Sequence, residues 1–213
     1  LNAATARPDD DEIDARIAAY DLAFKMQMDA PQVFDLANET QATLDLYGIG
    51  DAATDDYGRR CLMARRLVER GVRFVVVVSG GGAATTQWDA HADIEENHTR
   101  MARETDRPIA GLLADLKNRG LLDQTVLMWG GEFGRSPEAE SRKGRDHHNA
   151  GFSMWLAGGG VQGGQVIGAT DAIGLRAVEL PHHFRDVHTT LLHLLGFEQN
   201  DLSYPHLGRD ERL

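Results

Sequence analysis

Apolar and polar positions follow two different periods along this chain, and the change from one to the other marks out its elements. Ile13, Ile17, Tyr20, Leu22 and Phe24 recur at roughly helical spacing behind the acidic start Asp9-Asp10-Asp11-Glu12, and acids at the positive end of a helix dipole favour such a start. Pro31 and the polar Asn38-Glu39-Thr40 stretch punctuate this front part. A second helix is predicted over residues 57–69, where Leu62, Arg66 and Glu69 share the helical period, and Gly71 ends it. The pattern then switches. Arg73-Phe74-Val75-Val76-Val77-Val78-Ser79 is a continuous β-branched run of the kind buried on both faces of a parallel sheet.

The next long helix is predicted over residues 94–119, with Ile109, Leu112, Leu113 and Leu116 as its apolar stripe, Pro108 as a kink or restart and Gly120 as its stop. Residues 125–129 supply a second strand, so strand, helix and strand make a βαβ unit with a right-handed crossover. Residues 152–157 read as a third strand, 165–168 as a short fourth, and 184–195 as a closing helix ended by Gly196. The expected fold class is therefore α/β, a mostly parallel sheet flanked by helices. It forms a single domain, with an irregular and helical front part over residues 1–56 and an α/β core over residues 57–213.

Composition restricts the function. The 213 residues, 42% hydrophobic and 26% charged, hold enough material for one sizeable core. A formal net charge of -11 argues against sequence-independent nucleic-acid binding, which needs a basic surface. Any anionic substrate must instead be held by a local positive site, a metal or clustered arginines. The single cysteine, Cys61, cannot form an internal disulfide and reads as a small buried hydrophobe. No run approaches the ~20 apolar residues of a membrane helix, and no signal-peptide pattern is present. The chain begins at Leu1 without a methionine, so a processed or truncated piece is expected.

Candidate chemistry gathers at the ends of the expected strands, where open α/β sheets place their sites. Trp88-Asp89-Ala90-His91 follows the glycine loop Gly80-Gly81-Gly82. Asp89 and His91 are suitable ligands for zinc, manganese or iron, the structural alternative being Asp89 as a cap on the next helix. Glu132 and Arg135 follow the second strand as a carboxylate with an oxyanion-binding guanidinium, or as an internal salt bridge. Arg145-Asp146-His147-His148 precedes the third strand. Neighbouring histidines point in different directions, so one of His147 and His148 is expected to be a ligand and the other a substrate or supporting contact, unless both are simply surface residues. The glycine loop lacks the Gly-Lys-Ser/Thr ending of a phosphate loop. Pro181-His182-His183, His188 and His193 read as polar contacts around the closing helix.

Three segments carry a resemblance. Gly131-Glu132-Phe133-Gly134-Arg135-Ser136-Pro137, then Gly144-Arg145-Asp146-His147, then Leu156-Ala157-Gly158-Gly159-Gly160-Val161-Gln162-Gly163-Gly164 resemble the sulfatase-like bacterial family known as domain of unknown function 1501. The stretch from Cys61 to Phe74 and Trp88-Asp89-Ala90-His91 extend the resemblance from about Pro31 to Arg209. It implies an alkaline-phosphatase-like fold, incomplete at its N-terminus. It also implies a divalent metal (zinc, calcium, magnesium or manganese) held by Asp89, His91, Glu132 and His147, with Arg135, Arg145 and His148 binding substrate. The implied activity is hydrolysis of a phosphate or sulfate ester of a small molecule or saccharide. The implied relatives are longer and exported to the periplasm by a twin-arginine signal, so the N-terminal half of the same protein, or a second copy, is an expected partner. The superfamily's Asp-His pair is replaced by Glu132-Phe133, which removes one nitrogen ligand. The alternative is thus a non-catalytic anion-binding or scaffold domain, and a third reading has Ser79, Thr85 or Thr86 as a substitute nucleophile.

Overall fold

The structure, a computed structural model, describes residues 11–80, 87–138 and 143–212. Its organised part is helical. α1 (Asp11–Phe34) runs on past Pro31, where punctuation was expected, and is followed by α2 (Gln41–Leu46), α3 (Asp55–Glu69) and α4 (Ile94–Asn118). α4 passes through the buried Pro108 without a break. α5 (Phe184–Leu194) closes the helical set and begins with a capping box between His183 and Asp186.

α3 and α4 pack together because each turns a helical stripe inward. Cys61, Leu62, Ala64 and Arg65 of α3 are buried, as are Met101, Thr105, Leu112, Asp115 and Leu116 of α4. Tyr47, Ile49, Cys61, Leu62, Leu112 and Leu116 form the core cluster, with Val77 and Leu127 among the partly buried side chains against it. A buried guanidinium holds the helices in register. Arg65, 2% exposed, pairs with Glu39 at 2.9 Å, and its Nε lies 2.9 Å from Asp115 Oδ2 at an angle short of a hydrogen bond. The Tyr47 hydroxyl donates to the same Asp115 carboxylate at 3.0 Å.

The strands do not assemble as expected. β1 (Leu127–Trp129) pairs antiparallel with β4 (Trp155–Ala157), with Trp129 opposite Trp155. β2 (Gly134–Arg135) pairs antiparallel with β3 (His147–His148), β5 (Ala169–Thr170) with β6 (Ala177–Glu179), and β7 (Tyr204–His206) with β8 (Arg209–Glu211). Among the described residues every sheet has two strands. The mostly parallel α/β sheet is therefore overturned, and the alkaline-phosphatase-like architecture with it. Residues 73–79, expected at its centre, are extended but belong to no strand, and residues 165–168 form none either. The reason is physical: a β-branched run favours extended backbone, but it does not choose a partner or a direction. Among the described residues no helix is long and apolar enough to cross a membrane.

Candidate metal centre

Segment 143–148 runs between the two other pieces of the site and ties them together. On one side Ala92 bridges antiparallel to Lys143, and the Arg145 amide donates to Ala90 O at 3.0 Å. On the other, Arg135 lies opposite His147 in the β2–β3 ladder, and the Ser136 amide donates to Asp146 O at 2.9 Å. The Trp88 end of the Asp89 loop is fixed separately. The Trp88 indole N–H donates to Ser79 Oγ at 3.0 Å, and Trp88 O accepts from His98 of α4 at 3.1 Å. Asp89 is not the cap of α4, a position that Asp93 takes in a left-handed conformation (φ 46°).

This framework brings Asp89, His91 and His147 to one point. His91 Nε2 lies 3.1 Å from Asp89 Oδ1, His147 Nε2 lies 3.0 Å from the same oxygen, and the two Nε2 atoms are 3.2 Å apart. Ligand atoms bound to one ion at about 2.0–2.1 Å sit roughly 3 Å from each other, so the spacing suits a single divalent ion. The donor chemistry agrees: two imidazole nitrogens and a carboxylate oxygen suit zinc or manganese better than calcium or magnesium, which favour all-oxygen sites. With side-chain exposures of 36% for His91 and 48% for His147, the cluster is open to solvent on one side, leaving room for a further ligand.

Arg135 and Phe133 support the cluster. Arg135 Nη1 donates to Asp89 Oδ1, and its guanidinium lies 5.8 Å from the centre of the Phe133 ring. The same ring packs against His147, with centroids 4.6 Å apart. Burial works to raise the Asp89 carboxyl, but hydrogen bonds from His147 and Arg135, with the charges of Arg135 and His91, outweigh it and hold it below the usual carboxylate range. Asp89 is thereby kept as the anion that a metal ligand must be.

The remaining candidates lie elsewhere. Glu132 is outside the group of three, 66% exposed and 3.8 Å from Arg135 Nη2. His148, alternating to the other face of β3, turns its Nε2 to Leu175 O. Arg145 donates to Gly144 O at 2.8 Å and lines a cleft of about 1060 Å³ with Asp93, Arg103 and Lys143. Gly81, Gly82, Thr85 and Thr86, and the front acids Asp9 and Asp10, lie outside the described residues. Two supporting positions escaped the sequence reading: the Phe133 ring as packing for His147, and Gly144 as the point of contact with the His91 backbone. A glycine two places before Asp146-His147 is the signal that would have found the second.

These features define the chain as a helical module carrying short antiparallel ribbons and one open Asp-His-His cluster beside an arginine. It belongs to the family described as protein of unknown function (DUF1501), whose model matches residues 1–213. Neither a curated protein nor a solved structure matches it.

Proposed function

We propose that Asp89, His91 and His147 hold one divalent ion, zinc or manganese, and that the site hydrolyses a phosphate or sulfate ester. The observation that carries this reading is the meeting of one carboxylate oxygen and two imidazole Nε2 atoms, from two separate segments, within 3.0–3.2 Å. When bound, such an ion polarises an ester oxygen and lowers the pKa of a water. The chain's own contribution is orientation and charge. Arg135 positions the Asp89 carboxylate with one guanidinium nitrogen, its other terminal nitrogen lies 3.8 Å from Glu132, and in this reading the guanidinium supplies the positive charge that holds an anionic ester oxygen. Phe133 holds the His147 ring in place and shields one side of it from water.

The contact between Arg135 and Asp89 favours a second reading. An aspartate already compensated by a guanidinium and two imidazoles suits a metal-free anion site without turnover. Metal analysis of the purified chain after incubation with zinc or manganese, followed by assay on aryl phosphates and aryl sulfates, separates the two. One equivalent of ion, lost in His147→Ala together with turnover, supports the hydrolase. An ion-free protein that binds phosphate without cleaving esters supports the second reading.

A further inference from the structure

Asp89 is the middle residue of a turn whose first carbonyl is also held from outside. The Ala90 amide donates to Trp88 O at 2.9 Å and the His91 amide to Asp89 O at 3.2 Å, so residues 88–91 make two successive three-residue turns, with Asp89 at the centre of the first. Trp88 O accepts a second bond, from His98 Nε2 of α4 at 3.1 Å. A ring nitrogen that faces a carbonyl must carry the proton, so His98 is the donor. The peptide plane just ahead of Asp89 is thereby fixed by the turn and by α4 together. Rotating that plane to swing the carboxylate away breaks both bonds.

The Trp88 side chain is anchored as well as its carbonyl. Its indole N–H donates to Ser79 Oγ at 3.0 Å. Arg60 of α3 in turn donates to the carbonyls on either side of Ser79, Val78 O at 3.0 Å and Gly80 O at 2.8 Å. The indole ring lies 5.3 Å from the His98 ring and meets Trp129, the last residue of β1, edge-on at 6.4 Å. Asp89 is thus referred to α3 through Ser79 and to α4 through His98. Those two helices share the core cluster, which makes them a firm base for the turn.

We infer, on the reading that Asp89, His91 and His147 hold one divalent ion, that Ser79, Trp88 and His98 are positioning residues for Asp89. They keep Asp89 Oδ1 at the point on which His91 Nε2 and His147 Nε2 converge. His98 lies outside the group of three and serves as a donor to Trp88, not as a ligand. Ser79 serves as the acceptor for Trp88, not as a nucleophile.

Zinc affinity measured against a chromophoric chelator, the visible spectrum of the cobalt(II) form and a thermal melt together test these roles. Ser79→Ala and His98→Leu should each weaken zinc by about tenfold, the lower end of what partners behind a ligand contribute, and should alter the cobalt bands. Ser79→Thr, which keeps the hydroxyl, and His98→Gln, which keeps an N–H donor, should restore both to near their wild-type values. Trp88→Phe keeps a ring but lacks the N–H, and it replaces Ser79→Ala in the comparison if that variant does not fold. A role in stability alone would move the melt and leave zinc affinity and the cobalt spectrum unchanged, and that result overturns the inference. So does a loss that the two conservative variants do not restore, or a Ser79→Ala protein that loses ester turnover with zinc binding intact, the mark of a nucleophile. A wild type that binds neither zinc nor manganese refutes the metal reading instead. The nitrogen NMR signals of the His91 and His147 rings in the metal-free proteins then decide the positioning by themselves. They should shift in Ser79→Ala and His98→Leu and return in the conservative variants, and unshifted signals would overturn it.

Discussion

Gly144 lies so close to the main chain of His91 that a Cβ built on it would meet the His91 carbonyl carbon and oxygen at 2.0 Å. Neither atom is the far end of a flexible side chain, so an added methyl must part the two segments that carry the ligands. Gly144→Ala is therefore expected to lower stability by about 1–3 kcal/mol and to weaken zinc binding at least tenfold. Competition against a chromophoric chelator, with a thermal melt alongside, measures both. Gly163→Ala, where nothing lies within 4 Å of the added methyl, is the matched control and should change neither. Equal zinc affinity in Gly144→Ala and wild type would show that the close approach does not shape the site.

Arg135 offers a way to separate metal binding from ester binding. Its guanidinium bonds to Asp89 Oδ1, the oxygen on which both histidines converge, and so competes with any cation placed there. In Arg135→Gln the positive charge beside the carboxylate is gone. Zinc should bind as tightly as in the wild type or more tightly, while kcat/KM on an aryl phosphate or sulfate falls by at least an order of magnitude, the scale of a lost charge-assisted contact of about 1.5–3 kcal/mol. His147→Ala should lose both together. If Arg135→Gln loses the ion and His147→Ala retains it, the assigned roles are wrong.

The helices could be read from sequence because their apolar period is local. The helices expected over residues 57–69, 94–119 and 184–195 start and stop within two residues of α3, α4 and α5 as formed. Strand partners are a different matter. Residues 125–129 and 152–157 contain β1 and β4, yet these run antiparallel to each other, and nothing in the alternation of Leu127, Met128 and Trp129 states a direction. At the site, the expectation that adjacent histidines diverge matches the geometry, since His147 faces Asp89 and His148 faces Leu175 O. Glu132 shows the limit of the reading. It sits beside Arg135 in sequence, but the turn before β2 leaves it 66% exposed.

Arg65 is the charge on which the helical module depends. It is 2% exposed and pairs with Glu39 at 2.9 Å and Glu69 at 2.5 Å, with Asp115 at 2.9 Å beside its Nε. Arg119 keeps partners on Glu69 and Asp115, both at 2.8 Å, and Arg66 keeps Glu39, so no acid is left wholly alone when Arg65 is removed. Arg65→Met should accordingly cost about 3 kcal/mol, the lower end for breaking a buried pair. Arg119→Ala, whose side chain is 37% exposed, should cost no more than about 1 kcal/mol. Urea unfolding of both variants checks the contrast, and similar losses would contradict the burial argument.

Cys61 and Tyr57 make the same module sensitive to alkali. Burial pushes the Cys61 thiol up to about 12, and burial, with the neighbouring Cys61 adding to it, raises the Tyr57 hydroxyl to about 12. Both groups thus keep their protons in the folded chain at pH values where the unfolded chain gives them up, Cys from about pH 8.5 and Tyr from about pH 10. Unfolding then releases protons, so these two groups leave stability unchanged below about pH 8.5 and lower it as pH rises toward 12. At about 1.4 kcal/mol per pH unit, the thiol alone removes about 2 kcal/mol by pH 10. Urea midpoints at neutral pH, at pH 8.5 and at pH 10 measure the slope. Cys61→Ala should flatten it over that interval, because the tyrosine contributes only above about pH 10. In the native wild type, iodoacetamide at mildly alkaline pH should leave Cys61 unmodified until urea exposes it. A slope unchanged in Cys61→Ala would place the alkaline sensitivity elsewhere in the chain.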